Sequence, residues 1–196
     1  MSDHTENLTA SEAIGAGLVA RADVGDRLVA EGRYFAECYD RDGNLKWRDE
    51  FHNTVMTVGK NLALDSFLAG STYTVTGPYM GLISSASYSA ISAADTMASH
   101  AGWLEAGNAN APTYSGNRKT AAWSAASAGA KALSAALSFA ITGTGTIKGA
   151  FMLFGSAATN AVDGTVGTLL SAGLFSGGDR AVLNGDTVSV SYSLSI

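Results

Sequence analysis

The chain predicts a mainly β protein, an antiparallel β-sandwich of jelly-roll type with one short helix and an extended N-terminal arm. Three observations carry this expectation. The C-terminal stretch "TVSVSYSLSI" alternates strictly, with Val188, Val190, Tyr192, Leu194 and Ile196 on one face and Ser or Thr on the other. That period of two is the signature of a strand with one buried face. Short apolar runs bounded by glycines recur through the second half. A hairpin signal, Asp42-Gly43, joins two strand-like segments early in the chain. Many short strands punctuated by turns add up to a sandwich.

Residues 1–32 read as a separate arm, and 33–196 as the sandwich domain. In the arm, Ser11 offers a helix cap and Ile14, Leu18 and Val19 have helical spacing. Gly15, Gly17 and Gly25 interrupt it, each costing roughly 1 kcal/mol in a helix, so no long helix is expected. Termini of this kind often order only on binding. The hairpin follows: "RYFAECYD", the turn "RDGN", then "LKWRDEF". Leu45, Trp47 and Asp49 should face one way, and Lys46, Arg48 and Glu50 the other.

"VGKNLALDSFLAG" (58–70) is the best helix, with a helix body near 59–69. Leu62, Phe67 and Leu68 form its stripe, Leu64 lies to one side and Gly70 is the stop. "YMGLIS" (79–84) is a short buried run. In "KALSAALSFAITG", Leu133, Ala135, Leu137, Phe139 and Ile141 alternate. An Ala-rich helix competes for 121–137, but the Leu137–Ile141 run and its flanking Gly and Thr favour a strand. "TIKGAFMLFG" and "GTLLSAGLF" are further short strands, and Asn184-Gly185-Asp186 turns the chain into the last one.

Charge narrows the function. The 196 residues carry a net charge of −5, and charged residues make up 15%. An acidic chain is a poor phosphate binder, so no nucleic-acid partner is expected. No apolar run approaches the ~20 residues of a membrane helix, so no membrane partner is expected, and the N-terminus does not read as an export signal. The single Cys38 rules out an internal disulfide and a multi-cysteine zinc site, and reads as a small core residue. Residues 1–60 hold 18 of the 29 Asp, Glu, Lys and Arg, and residues 61–196 hold the other 11. A surface clothed in Ser, Thr, Gly, Ala and Asn suits a protein packed against copies or partners, where unpaired charge is costly. A free β-domain with a hydroxyl-rich surface is the plainer reading.

The residues that could carry chemistry do not assemble a reaction. "DTMASHAGWLE" gathers Asp95, Ser99, His100 and Glu105, but nothing around Ser99 resembles a nucleophile elbow. His4, His52 and His100 are isolated, without metal-ligand spacing. "DRDGN" (40–44) opens like a calcium loop, yet its twelfth position is Phe51, where a bidentate Glu is required; a hairpin turn explains it better. "GTGT" (143–146) lacks the Lys of a phosphate loop. Trp103, Tyr114 and Trp123 could stack on sugars, although core packing is the commoner fate of Trp. No enzyme and no cofactor are expected.

Four blocks taken together resemble a group of small tailed-bacteriophage virion proteins. The first is "YDRDGNLKWRDEFHNTVMTVGKNLALDSFLAG", with Asp42-Gly43, Lys46-Trp47, Asn53, Gly59, Asn61 and Leu64-Asp65. The others are "DTMASHAGWLE", "YSGNRKTAAWSAAS" and "GTLLSAGLFSGGDRAVLNGDTVSVSYSLSI". The similarity spans roughly 33–196 and leaves the arm unmatched. It implies a virion location and a jelly-roll capsid decoration (cement) protein, with the major capsid protein and its own copies (dimer or trimer) as partners. A head- or tail-fibre, receptor-binding module is the alternative, for which Trp103 and Tyr114 would be contact candidates. In the cement reading "DTMASHAGWLE" is a connecting loop, with local turn hydrogen bonds from Asp95 and Ser99, Trp103 as its anchor and a structural His100. Leu8, Ile14, Leu18 and Val19 are the expected capsid contacts.

Overall fold

A computed structural model describes residues 29–68 and 76–196. Among these residues ten strands and one helix follow in the order β1 (Glu31–Tyr39), β2 (Leu45–Val55), α1 (Thr57–Leu68), β3 (Thr76–Ser84), β4 (Lys119–Thr120), β5 (Ala130–Ala132), β6 (Leu137–Ala140), β7 (Gly145–Gly155), β8 (Thr168–Leu174), β9 (Arg180–Val182) and β10 (Thr187–Ser195). They form one curled sheet, ordered β4-β3-β7-β8-β2-β1-β10-β5, with β6 also on β10 and β9 also on β7. Every pairing is antiparallel. The mainly β, sandwich-like antiparallel class expected from the alternation is what the chain adopts.

Strand β2 makes the curl. Its first part pairs with β1 through His52, and its last three residues, Asn53 to Val55, pair with β8 instead. The two ends of the strand order are then stitched together. Ser124 N donates to Ala132 O at 2.9 Å, Ser134 N donates to Ala122 O at 2.9 Å, and Trp123 lies opposite Leu133. Stitching the ends removes edges that would otherwise pair with other chains.

The halves of the curl enclose one core, where Tyr34, Ala36, Cys38, Val188, Val190 and Tyr192 meet Met80, Leu82, Ala150 and Met152. A second core lies on the far side of β3, β7 and β8. There Phe151, Leu153, Leu169 and Ala172 are covered by Met56 at the start of α1, and by Met97 and Trp103 from the long β3–β4 connection. Strand β7 therefore buries both faces, which explains why "GAFMLFG" is apolar throughout rather than alternating. Where β7 passes β8, a Cβ added at Gly149 would lie 1.8 Å from the Gly173 carbonyl oxygen.

Several elements differ in detail from the sequence reading. Strand β1 begins at Glu31, so Glu31 and Gly32 belong to the sheet although they fall inside the stretch read as the arm. Of the stripe expected on helix α1, Leu62 is half-buried and Leu68 is exposed. The helix contact is the first turn, through Met56, Val58 and Gly59, because only a residue without Cβ lets the helix backbone sit on Leu170. Beyond that turn Leu64 is 50% and Leu68 70% exposed. Gly70 and the side chain of Phe67 lie outside what is described. "KALSAALSFAITG" splits into β5 and β6, both on β10. Leu133, Phe139 and Ile141 are buried, but Ala135 falls in the break and is exposed. Leu45 is exposed because the β1–β2 register shifts at Tyr39, and Ile196 lies beyond the last β10 pair.

Gly149→Ala forces a methyl into the Gly173 carbonyl and should cost about 3 kcal/mol of stability by overpacking. Thermal or urea unfolding measures it, and a loss under about 1 kcal/mol would contradict the close approach.

Candidate functional site

The segment 95–105 is split by the fold into a loop and a core anchor. Asp95 Oδ2 accepts hydrogen bonds from Ser92 N at 3.0 Å and from the Trp103 indole at 2.9 Å. Thr96 and Ser99 close a small turn through their backbones, and Ser99 N also donates to Thr96 Oγ1. The His100 ring stacks on Trp103 at 4.0 Å, and its Nδ1 lies 3.0 Å from the Trp103 carbonyl oxygen. Trp103 itself is fully buried against Phe151. The Asp95 carboxylate is thus engaged in holding Trp103 rather than in orienting His100. Asp95, Ser99, His100 and Trp103 have the local, structural roles expected of a connecting loop.

Glu105 belongs to a different constellation. Strand-like contacts with β3 carry it to the sheet, where its carboxylate meets Arg118 in a bidentate pair of 2.9 and 2.6 Å. The two side chains are 3% and 0% exposed. Asp163 N donates to the same carboxylate at 2.8 Å, while Arg118 also donates to the carbonyls of Thr159 and Gly164. The guanidinium lies over the Phe151 ring. One buried ion pair thereby fastens three loop segments to β7. Burial pushes the Glu105 carboxyl above its ordinary value, and Arg118 opposes that rise.

Two further clusters pin the turns. Asp49 on β2 accepts from Ser176 N, Ser176 Oγ and Gly177 N, and pairs with Arg180. Burial would raise its pKa, but these donors outweigh it and hold the carboxyl below the ordinary value. At the turn end of the sheet a cleft is lined by Asp40, Arg41, Lys46, Thr144, Leu183, Asn184 and Asp186. Within it Asp186 accepts from Leu183 N at 2.7 Å and from the Lys46 ammonium. Asp40 spends its oxygens on Asp42 N, Asn44 N and the Asn44 side chain, the hydrogen bonds of a hairpin turn. Behind the cleft Cys38 is buried, its thiol pushed up to about 12 by desolvation and then by the Asp186 charge. A second cleft runs between Tyr88–Ile91 and the β2–β8 seam, with exposed His52 on its rim.

Among the described residues no three His, Cys, Asp or Glu side chains converge on a metal-sized space. Trp103 and Tyr114 are 0% and 4% exposed, which overturns their candidacy as receptor or sugar contacts. Both lie in the core, and Trp123 packs half-buried against Tyr192. Leu8, Ile14, Leu18 and Val19, the expected capsid contacts, lie outside the described residues, as does His4. Arg118 and Arg180 escaped the sequence reading, since their partners are 13 and 131 residues away and no local pattern joins them. The outward position of Phe35 was not read from the sequence, although its alternation with Tyr34 and Ala36 alongside Arg33 and Glu37 signals it. A comparison with protein-family models, with curated proteins and with solved structures found no match.

Arg118→Met should cost about 3–5 kcal/mol in urea unfolding by stranding a buried carboxylate, and the Glu105→Gln/Arg118→Met double variant should cost less than the single. A double variant as unstable as the single would show that Arg118 acts by packing rather than charge. Native Cys38 should stay unreacted with a thiol reagent at pH 8 and react only on unfolding; reaction at the rate of a free thiol in the folded protein would contradict its burial.

Proposed function

We propose that this chain is a structural protein of a tailed-phage virion, a decoration or cement protein that binds the outside of the head lattice and bridges major capsid proteins. The observation that carries the reading is how the sparse charge of residues 61–196 is spent. Of its eleven charged side chains, Glu105, Arg118, Lys148, Asp179, Arg180 and Asp186 are held in ion pairs within the fold. The surface left over is largely Ser, Thr, Ala and Gly, which can be covered by a neighbour at little desolvation cost. The resemblance of the four sequence blocks to small virion proteins supports the same reading.

The mechanism is mechanical. Area buried across a joint between capsid subunits contributes roughly 25 cal/mol per Å², and many copies oppose the pressure of packaged DNA together. An oligomer touching two capsid subunits gains avidity without new contacts. The N-terminal residues, with Leu8, Ile14, Leu18 and Val19 as apolar anchors, would supply one contact by ordering on the lattice.

The test is the copy number of this chain per major capsid protein in purified virions, together with capsid binding by the full chain and by residues 29–196. The shorter chain keeps β1 whole. Hundreds of copies in a simple ratio, and loss of binding by the truncated chain, are the expected results. A handful of copies in a multiple of three or six would place the protein in a fibre, and retained binding would remove the N-terminal residues from the contact.

A further inference from the structure

The large apolar side chains left on the surface are not scattered. Among the described residues Val29, Leu64, Leu68, Val166 and Ile196 are each between 47% and 70% exposed, and all five belong to one end of the sheet. The registers fix that end. Glu31 at the start of β1 pairs with Ser195 at the close of β10, and Val55 at the close of β2 pairs with Ser171 near the start of β8. Val29 precedes β1, Ile196 follows β10 and Val166 precedes β8, while α1, carrying Leu64 and Leu68, departs from β2 there. The opposite end, with the Asp42-Gly43 hairpin, has Leu45 and Leu183. Single exposed apolar residues are ordinary, but their gathering at one place marks a surface made to be covered.

We propose that residues 1–28 of the same chain cover this apolar end in the free protein. The occupant follows from where the described residues begin. Val29 is itself one of the five, so the preceding residues emerge within this end, on a strand that lies between β2 and β10. Any other occupant, a second copy included, would have to seat itself around them. Their number suffices, because 28 residues reach up to roughly 90 Å when extended, against about 4.8 Å between neighbouring strands. So does their chemistry, with Leu8, Ile14, Leu18, Val19, Val24 and Leu28 as apolar side chains. Ile14 and Leu18 share the four-residue spacing of Leu64 and Leu68, so the two pairs can lie face to face.

Tethering favours this occupant over a free partner. A segment joined directly to the surface it covers is present at an effective concentration of order millimolar, whereas a second copy meets that surface only at the concentration of the protein. The inference does not rest on the capsid reading, and its test uses the free chain, so either can fail while the other stands. If both hold, residues 1–28 must leave this end to order on the lattice. The apolar end is then uncovered only on the particle, and the free protein is kept from associating through it.

Hydrogen–deuterium exchange on the free 196-residue chain tests the assignment. Backbone amides within residues 8–28 should exchange about tenfold or more slower than those of an unstructured chain, to the same extent at high and low protein concentration. Leu64→Asp/Leu68→Asp, at exposed positions, should return them to the unstructured rate while the amides of β7 keep their protection. Exchange at the unstructured rate in the wild type would overturn the proposal. So would protection that grows with protein concentration, the mark of a second copy, or protection that survives the double substitution. Should that variant lose protection throughout α1, Val166→Asp in the loop before β8 decides instead, with the same loss expected and the same survival overturning the proposal.

Discussion

A strand that is apolar on both faces must be covered on both, and β7 imposes that requirement on the rest of the molecule. Ile147, Ala150 and Met152 point into the core between the sheet halves, while Phe151 and Leu153 point the other way. The first face is satisfied by curling the sheet. The second needs a lid, and the chain supplies it with the start of α1 and the β3–β4 connection carrying Met97 and Trp103. A long connection brings polar backbone with it, and buried backbone groups need partners. Glu105 and Arg118 meet that need, binding Asp163 N and the carbonyls of Thr159 and Gly164 beside the Phe151 ring. The buried ion pair is therefore a consequence of β7.

The same economy governs the remaining charges. Asp49, Asp186 and their basic partners sit where turns cross the ends of the sheet, and each carboxylate takes backbone N–H donors as well as a cation. Turns held this way keep their geometry while contributing little free charge to the surface. Arg33, Glu37, Arg48 and Glu50 are the exception, side by side on the outward faces of β1 and β2.

Glycine placement links these levels. Gly149 and Gly59 are points where backbone meets backbone, β7 on β8 and α1 on β8. In the sequence both read as ordinary punctuation. In the fold they set the close approach of β7 to β8 and the contact point of the helix, beyond which Leu64 and Leu68 are exposed. The helix is held through its first turn, at Met56, Val58 and Gly59.

The sequence by itself determined the class of fold, the hairpin at Asp42-Gly43 and the last strand. Those depend on side-chain period and on turn chemistry, both local properties of the chain. Only the tertiary structure decided that Glu105 joins Arg118, that Asp49 joins Arg180, and that Trp103 and Tyr114 are core. Pairings across 13 or 131 residues follow from how the sheet curls. A Trp in a polar loop has no periodic neighbours to reveal which way it points, so its burial was settled by the uncovered face of β7.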